Sequence, residues 1–360
     1  MVFGLGIVSA AFLISWACEA VQKDISKALA IAFVALIAVL PEYAVDVILA
    51  WKAGADPTGP YIHYAAANMT GANRLLVGLG WPLVFFLYWM KTRGSLIFDK
   101  SISMELIPLT FATLLSFFIF LQGGIEIWHS VILITIFALY IWIISRSDIE
   151  EPDLFGPAQT IGLLKKNLRI PMLAFMFIFS GLAILSCAEP FVESLLSTGE
   201  SLGVDKFILV QWVAPLASEA PELLVASLLA LRGHALWAMI VLISSKVNHW
   251  SLLVASLPIT YSISYGVPSP LTLDARQMEE FLLTTAQSLF AIILLTRLRL
   301  SLMGSSTLFL LFITQLFFTE PNARYVYVFI YLGLSLFLLI KDKNRLNQVN
   351  VLFNDFLNRI

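Results

Sequence analysis

Apolar residues along this chain neither alternate nor recur every third or fourth position. They run on for about twenty residues at a time, with short polar breaks, which is the pattern of membrane-crossing helices. The runs fall at residues 2–21, 27–52, 60–90, 103–122, 126–145, 170–197, 206–231, 235–265, 278–297, 302–319 and 323–340. They predict an all-α polytopic membrane protein with about eleven transmembrane helices. Several runs exceed the roughly twenty residues of a straight crossing, which implies tilt or interruption. The first run has no basic segment before it and carries Glu19, so it is expected to be a retained span and not a cleaved signal.

Composition agrees, with 59% hydrophobic and 13% charged residues among 360. A soluble domain carries about 25% charged residues, so lipid is the expected solvent. The net charge of -2 and the lack of a basic block argue against a nucleic-acid partner. Lys and Arg gather on one side, from Lys23, Lys27 and Lys91 through Arg146 and Arg169 to Arg297, Arg299, Lys341 and Arg345. The other side has Lys52, Lys206, Arg276 and Arg324. The crowded side is expected to be cytoplasmic, with the N-terminus outside, in the plasma (cell inner) membrane. Oligomeric state is not readable from the sequence, and the apolar surroundings of Cys18 and Cys187 point to packing.

One phrase occurs twice inside these runs, as Ala38-Val39-Leu40-Pro41-Glu42 followed by Asp46, and as Ala217-Ser218-Glu219-Ala220-Pro221-Glu222. Proline has no N–H, so each copy frees a carbonyl one turn back, at Ile37 and at Ala217, beside a carboxylate. Further echoes extend the repeat. Ser15-Trp16-Ala17-Cys18-Glu19 resembles Ser186-Cys187-Ala188-Glu189, and Phe98-Asp99 with Met104-Glu105 resembles Leu273-Asp274 with Met278-Glu279. Residues 1–146 thus form one five-helix repeat and 170–319 a second, separated by a cytoplasmic linker at 147–169. Residues 320–360 add a helix and a cytoplasmic tail. Five crossings is an odd number, so the second copy is inverted, and a site is expected near the midplane where the two meet.

Glu42 and Asp46 share a helical face, as do Glu219 and Glu222. Four carboxylates in low dielectric coexist only by binding cations, by protonating or by pairing with basic groups. The helix after each phrase is polar at depth, with Asn68-Met69-Thr70-Gly71-Ala72-Asn73-Arg74 and Ser244-Ser245-Lys246-Val247-Asn248-His249. Such residues offer oxygens for a hard cation. Lys246 and Arg74 are expected to neutralise Glu219 and Asp46 as internal ion pairs, or to exchange with the transported ion. His249 is a candidate proton carrier, Glu19 and Glu189 are candidates to line a gating path, and His63 is expected near the interface.

These segments resemble the α-repeats of the cation/calcium exchanger superfamily, the sodium/calcium and calcium/proton exchangers. Their pattern is Gly-Thr-Ser-x-Pro-Glu, then Gly-Asn-x-x-Gly-Ser-Asn. The resemblance places Glu42 and Glu222 on the paired liganding glutamates and Ser218 and Ser245 on hydroxyl ligands, and keeps Asn68 and Gly71 in the frame. With Glu219, Asp46 and Asn73 these make the expected cation set. The chain departs from the pattern at Ala38-Val39, where two hydroxyls are lost, at Glu219, at Ala72, and at Lys246 in place of the amide. The resemblance implies a secondary cation antiporter of the sodium/calcium exchanger type with alternating access, carrying Ca2+, Na+ or H+ and needing no cofactor. The alternative is a sodium (or potassium)/proton antiporter using Lys246 or His249, and a remote one is an intramembrane enzyme using the carboxylates as acid and base.

Overall fold

Helices dominate the computed structural model, which describes residues 2–21, 23–24, 39–146, 154, 156–203, 205–318, 320–342 and 344–359. Ile37, Ala38, Lys27 and residues 147–153 of the linker lie outside the described residues. The first repeat comprises α1 (Val2–Val21), α2 (Leu40–Ala55), α3 (Tyr61–Thr92), α4 (Ser103–Gln122) and α5 (Ile127–Ile144). A short α6 (Gly156–Gly162) occupies the linker. The second repeat comprises α7 (Lys166–Leu202), α8 (Lys206–Leu231), α9 (Ala235–Tyr265), α10 (Ala275–Leu295) and α11 (Leu302–Gln315). The chain continues through α12 (Pro321–Lys341) and α13 (Asn344–Leu357).

Among the described residues eight helices are long and apolar enough to cross a membrane, or nine with α8, whose halves meet at a bend. The remaining predicted spans appear as the 16-residue α2, whose upstream part is not described, and the 14-residue α11. The linker is shorter than the sequence implies, because α7 starts at Lys166 and runs for 37 residues.

Four two-residue strands display the inversion. β1 (Leu96–Ile97) precedes α4 and pairs antiparallel with β4 (Arg299–Leu300), which follows α10. β2 (Gly124–Ile125) follows α4 and pairs with β3 (Leu271–Thr272), which precedes α10. The start of α4 is therefore tied to the end of α10, and the reverse, so the equivalent helices run in opposite directions. The Asp99 and Asp274 side chains accept from Ser101 N at 2.9 Å and Gln277 N at 2.8 Å, starting the two helical segments in the same way.

The two broken helices differ in form. α2 begins at Leu40 with Pro41 in its first turn, where a missing N–H costs nothing, and Glu42 beside it. In α8 the break falls between Lys206–Ala220 and Glu222–Leu231, which meet at 54°. A proline inside a helix removes one hydrogen bond and kinks the axis without ending the run. In α3 and α9 a π-helical turn follows the polar stretch, at Leu76–Gly80 and His249–Leu253. Each starts three residues after the matched pair Asn73 and Lys246, so the repeat extends to backbone geometry.

Candidate cation site

The carboxylate of Glu42 is buried where the two repeats touch. Asn68, from α3, donates its Nδ2 to Glu42 Oε1 at 2.9 Å and to Asp46 Oδ1 at 3.0 Å. The second oxygen of Glu42 accepts from the Ser218 hydroxyl of α8, one turn before Glu222. Glu222 in turn accepts from Ser245 of α9 at 2.7 Å. Glu42 thus takes donors from both repeats, and its partner Ser218 lies one turn from Glu222. Glu42, Asp46, Asn68 and Ser218 are buried, whereas Glu222 and Ser245 are partly exposed, so the cluster opens on the second-repeat side.

This cluster is rich in acceptors and poor in cations. Asp46 Oδ2, Asn68 Oδ1 and Glu219 Oε2 are buried without a hydrogen-bond donor. Buried acceptors without donors are costly, and oxygen is the ligand that a hard cation requires. Among the described residues no three or more His, Cys, Asp or Glu side chains are gathered to hold a metal unaided. The available oxygens come from a mixed set of carboxylates, hydroxyls and an amide.

The expected counter-ions lie elsewhere. Arg74 does not pair with Asp46. It pairs with Glu280 of α10, which also pairs with Arg324 of α12, while Arg324 Nε lies 3.6 Å from Glu279. The Arg74 guanidinium also covers the Trp212 ring, 4.8 Å from its centroid. Lys246 makes no ion pair with Glu219 or Glu222. Its Nζ donates to Asn73 Oδ1 at 2.7 Å and lies 4.3 Å from the centroid of the Trp250 ring. Asn73 is thereby withdrawn from the expected ligand set, because its Nδ2 also donates to Met69 O at 2.8 Å. Glu219 instead faces His249, whose Nδ1 is 3.2 Å from its Oε1.

Some participants were not foreseen. Tyr43, beside Glu42, donates its hydroxyl to Asn248 Oδ1 at 2.8 Å and ties α2 to α9. Glu279, Glu280 and Arg324 form the buried ionic cluster; an acidic pair at the start of one span and an Arg at the start of another were its only sequence signal. Of the two candidates for a gating path, Glu189 forms a half-exposed ion pair with Lys52 at 2.8 Å. His63 is partly exposed, bonded to Gln277 and 3.1 Å from Asp274.

Inverted five-helix repeats meeting at paired Pro-Glu carboxylates define a secondary cation carrier, an integral membrane protein and not an enzyme. The sodium/calcium exchanger protein family matches residues 1–146 and 172–319, and the chain belongs to that family. A crystal structure of the H+/Ca2+ exchanger CAX superposes with a TM-score of 0.95 at 44% identity, covering 99% of this chain and 90% of that one. The native structure of YfkE matches at 0.66 and 16% identity, over 88% and 90% of the two chains. The sodium-calcium exchanger NCX_Mj, soaked with Na+ and Sr2+, matches at 0.57 and 16%, over 87% and 95%. At such identities the last two show the shared fold alone. No curated protein sequence matches the chain.

Proposed function

We propose that the chain exchanges Ca2+ for protons across the membrane, by alternating access around Glu42 and Glu222. The observation that carries this reading is the Glu42 carboxylate, bridged by Ser218 and Asn68 from opposite repeats and set among acceptors without donors. Two ionised carboxylates balance one divalent cation, and two protons restore the same neutrality when it leaves. A carrier of this kind moves either load without leaving charge in hydrocarbon. The 44% identity with the CAX H+/Ca2+ exchanger supports this choice of ions. So does the loss of the two family hydroxyls at Ala38 and Val39, which removes oxygens that additional Na+ would need.

Ser218, Ser245, Asn68 and Asp46 supply or orient oxygens at the site, and Glu219 with His249 forms a flanking carboxylate–imidazole pair. The side carrying most Lys and Arg is cytoplasmic, with the N-terminus outside and the C-terminus within. Calorimetric titration of the purified protein with CaCl2, in buffers of different ionisation enthalpy, tests the reading. Binding should release protons, with fewer released at higher pH. Ca2+ binding without proton release at any pH would rule it out.

A further inference from the structure

Cations from the crowded side of the chain converge on one recess. Arg297 and Arg299 lie in the link between α10 and α11, Lys341 ends α12, and Arg345 lies at the start of α13. With Asp342 they line a cavity of about 390 Å3. One carboxylate faces four cations there, leaving a surplus of positive charge. Asp342 is shared between Arg297, at 3.1 Å, and Arg345, at 3.6 Å. No described carboxylate pairs with Arg299 or Lys341.

Arg345 is only 7% exposed. Its Nη1 donates to Ile293 O and, at 3.3 Å, to Thr296 Oγ1 at the end of α10, while its Nε makes no hydrogen bond. Burial lowers the proton affinity of this guanidinium; Asp342 opposes the shift, and like charge on Arg297 and Arg299 adds to it. The N-terminus of α11 faces the same space, with Ser301 Oγ accepting from Gly304 N at 3.3 Å and Gly304 lining the recess. A helix start adds partial positive charge and N–H donors. The four cations and the helix start together favour an anion in the recess.

The recess lies where membrane helices end. Met303, on its wall, is 76% exposed, and Ile340, next to Lys341, is 67% exposed. α13 carries an exposed apolar stripe of Leu346, Val349, Phe353 and Leu357, at spacings of three and four. Its Leu352 and Phe356 are buried against the protein, and asparagines occupy the remaining face. A helix with one face on protein, one apolar and one polar is built to lie in the plane of a bilayer surface. We propose that the recess binds the phosphate headgroup of an anionic phospholipid, whose acyl chains run along Met303 and Ile340 while α13 lies in the same interface. A soluble phosphate would satisfy the cations but would leave the apolar rim unused; basic pockets between membrane helices suit lipid headgroups. The bound lipid bridges the end of α10, the start of α11 and the two C-terminal helices. α13 reaches the first repeat too, where Ser103 at the start of α4 donates to Asp355 at 2.8 Å.

Native mass spectrometry of the full-length protein in non-ionic detergent tests the proposal, with phosphatidylglycerol, phosphatidylcholine and inorganic phosphate as separate probes. Phosphatidylglycerol should be retained in preference to the other two. The exposed pair of changes Arg299→Gln and Lys341→Gln should weaken that retention about tenfold, since each basic residue near an anionic lipid contributes measurably. Retention unchanged in the double variant would overturn the proposal. So would phosphatidylcholine binding as well as phosphatidylglycerol, and inorganic phosphate binding as tightly would overturn the lipid assignment.

Discussion

Glu42 receives one donor from its own repeat and one from the other, so its carboxylate sits at the joint between the two repeats. Glu42→Gln and Glu222→Gln should each reduce Ca2+ uptake into proteoliposomes to background while leaving the size-exclusion profile intact. An amide keeps the volume but not the charge that offsets cation dehydration. Uptake at the normal rate with both glutamines present would remove these residues from the site. Lys246 plays a different part. Lys246→Met removes a buried ammonium but leaves Asn73 Oδ1 without its donor, a cost of about 1–3 kcal/mol. The melting temperature in detergent should fall by a few degrees while uptake at saturating Ca2+ persists. Loss of uptake at an unchanged melting temperature would place Lys246 in the transport step. Glu280→Gln should cost more, about 3–5 kcal/mol, because Arg74 and Arg324 both lose a buried partner. At this scale the paired Pro-Glu residues were legible because proline and carboxylate are rare together in lipid. The partners of Arg74 and Lys246 were not, because one residue of offset turns a helical side chain by about 100°. Asn73 therefore meets Lys246, while neighbouring Arg74 reaches α10.

Elements meet closely where glycine allows it. A Cβ on Gly71 of α3 would lie 2.8 Å from the Gln211 backbone carbon of α8, and one on Gly54 of α2 2.7 Å from Ser264 Cβ of α9. Each contact joins one repeat to the other, as small residues do between membrane helices. Gly71→Leu should force α3 from α8, separating Glu42 from Ser218 and abolishing uptake; Gly181→Ala in α7, where a Cβ would have no neighbour within 4 Å, serves as the control. Normal uptake by Gly71→Leu would show that this approach is dispensable. Helix positions were legible from runs of apolar residues, which lipid imposes on any crossing segment. The π-turns were not, since a single extra residue per turn leaves the apolar content unchanged. Nor was the 54° angle within α8, because a proline fixes which hydrogen bond is lost and not the angle that neighbouring packing imposes.

The whole molecule is two antiparallel repeats joined by strand pairs and helix contacts, with α12 packed on α10 of the second repeat and α13 reaching both α10 and α4. The odd number of spans per repeat implied the inversion, and β1–β4 with β2–β3 display it. At the connection between α1 and α7, Arg169 donates to Asp24 through Nε at 2.6 Å and Nη2 at 2.7 Å. This bidentate pair holds the Asp24 carboxyl below its ordinary range. A lowered carboxyl stabilises the fold above the unfolded pKa, and that stability is lost as pH falls through the folded value. Asp24→Asn should therefore melt lower than the parent at neutral pH, and the two should converge in acid. A difference that persists unchanged into acid would assign the effect to packing.

The central claim is that proton and Ca2+ movements are coupled through one carboxylate site, and flux in proteoliposomes tests it most directly. With Ca2+ outside and the lumen acidic, Ca2+ should accumulate and the lumen should become alkaline in step with it. Dissipating the pH gradient with a protonophore, with membrane potential clamped, should stop accumulation, and an outward Na+ gradient at uniform pH should not restore it. Ca2+ accumulation driven by the Na+ gradient alone, with no change in lumenal pH, would contradict the account.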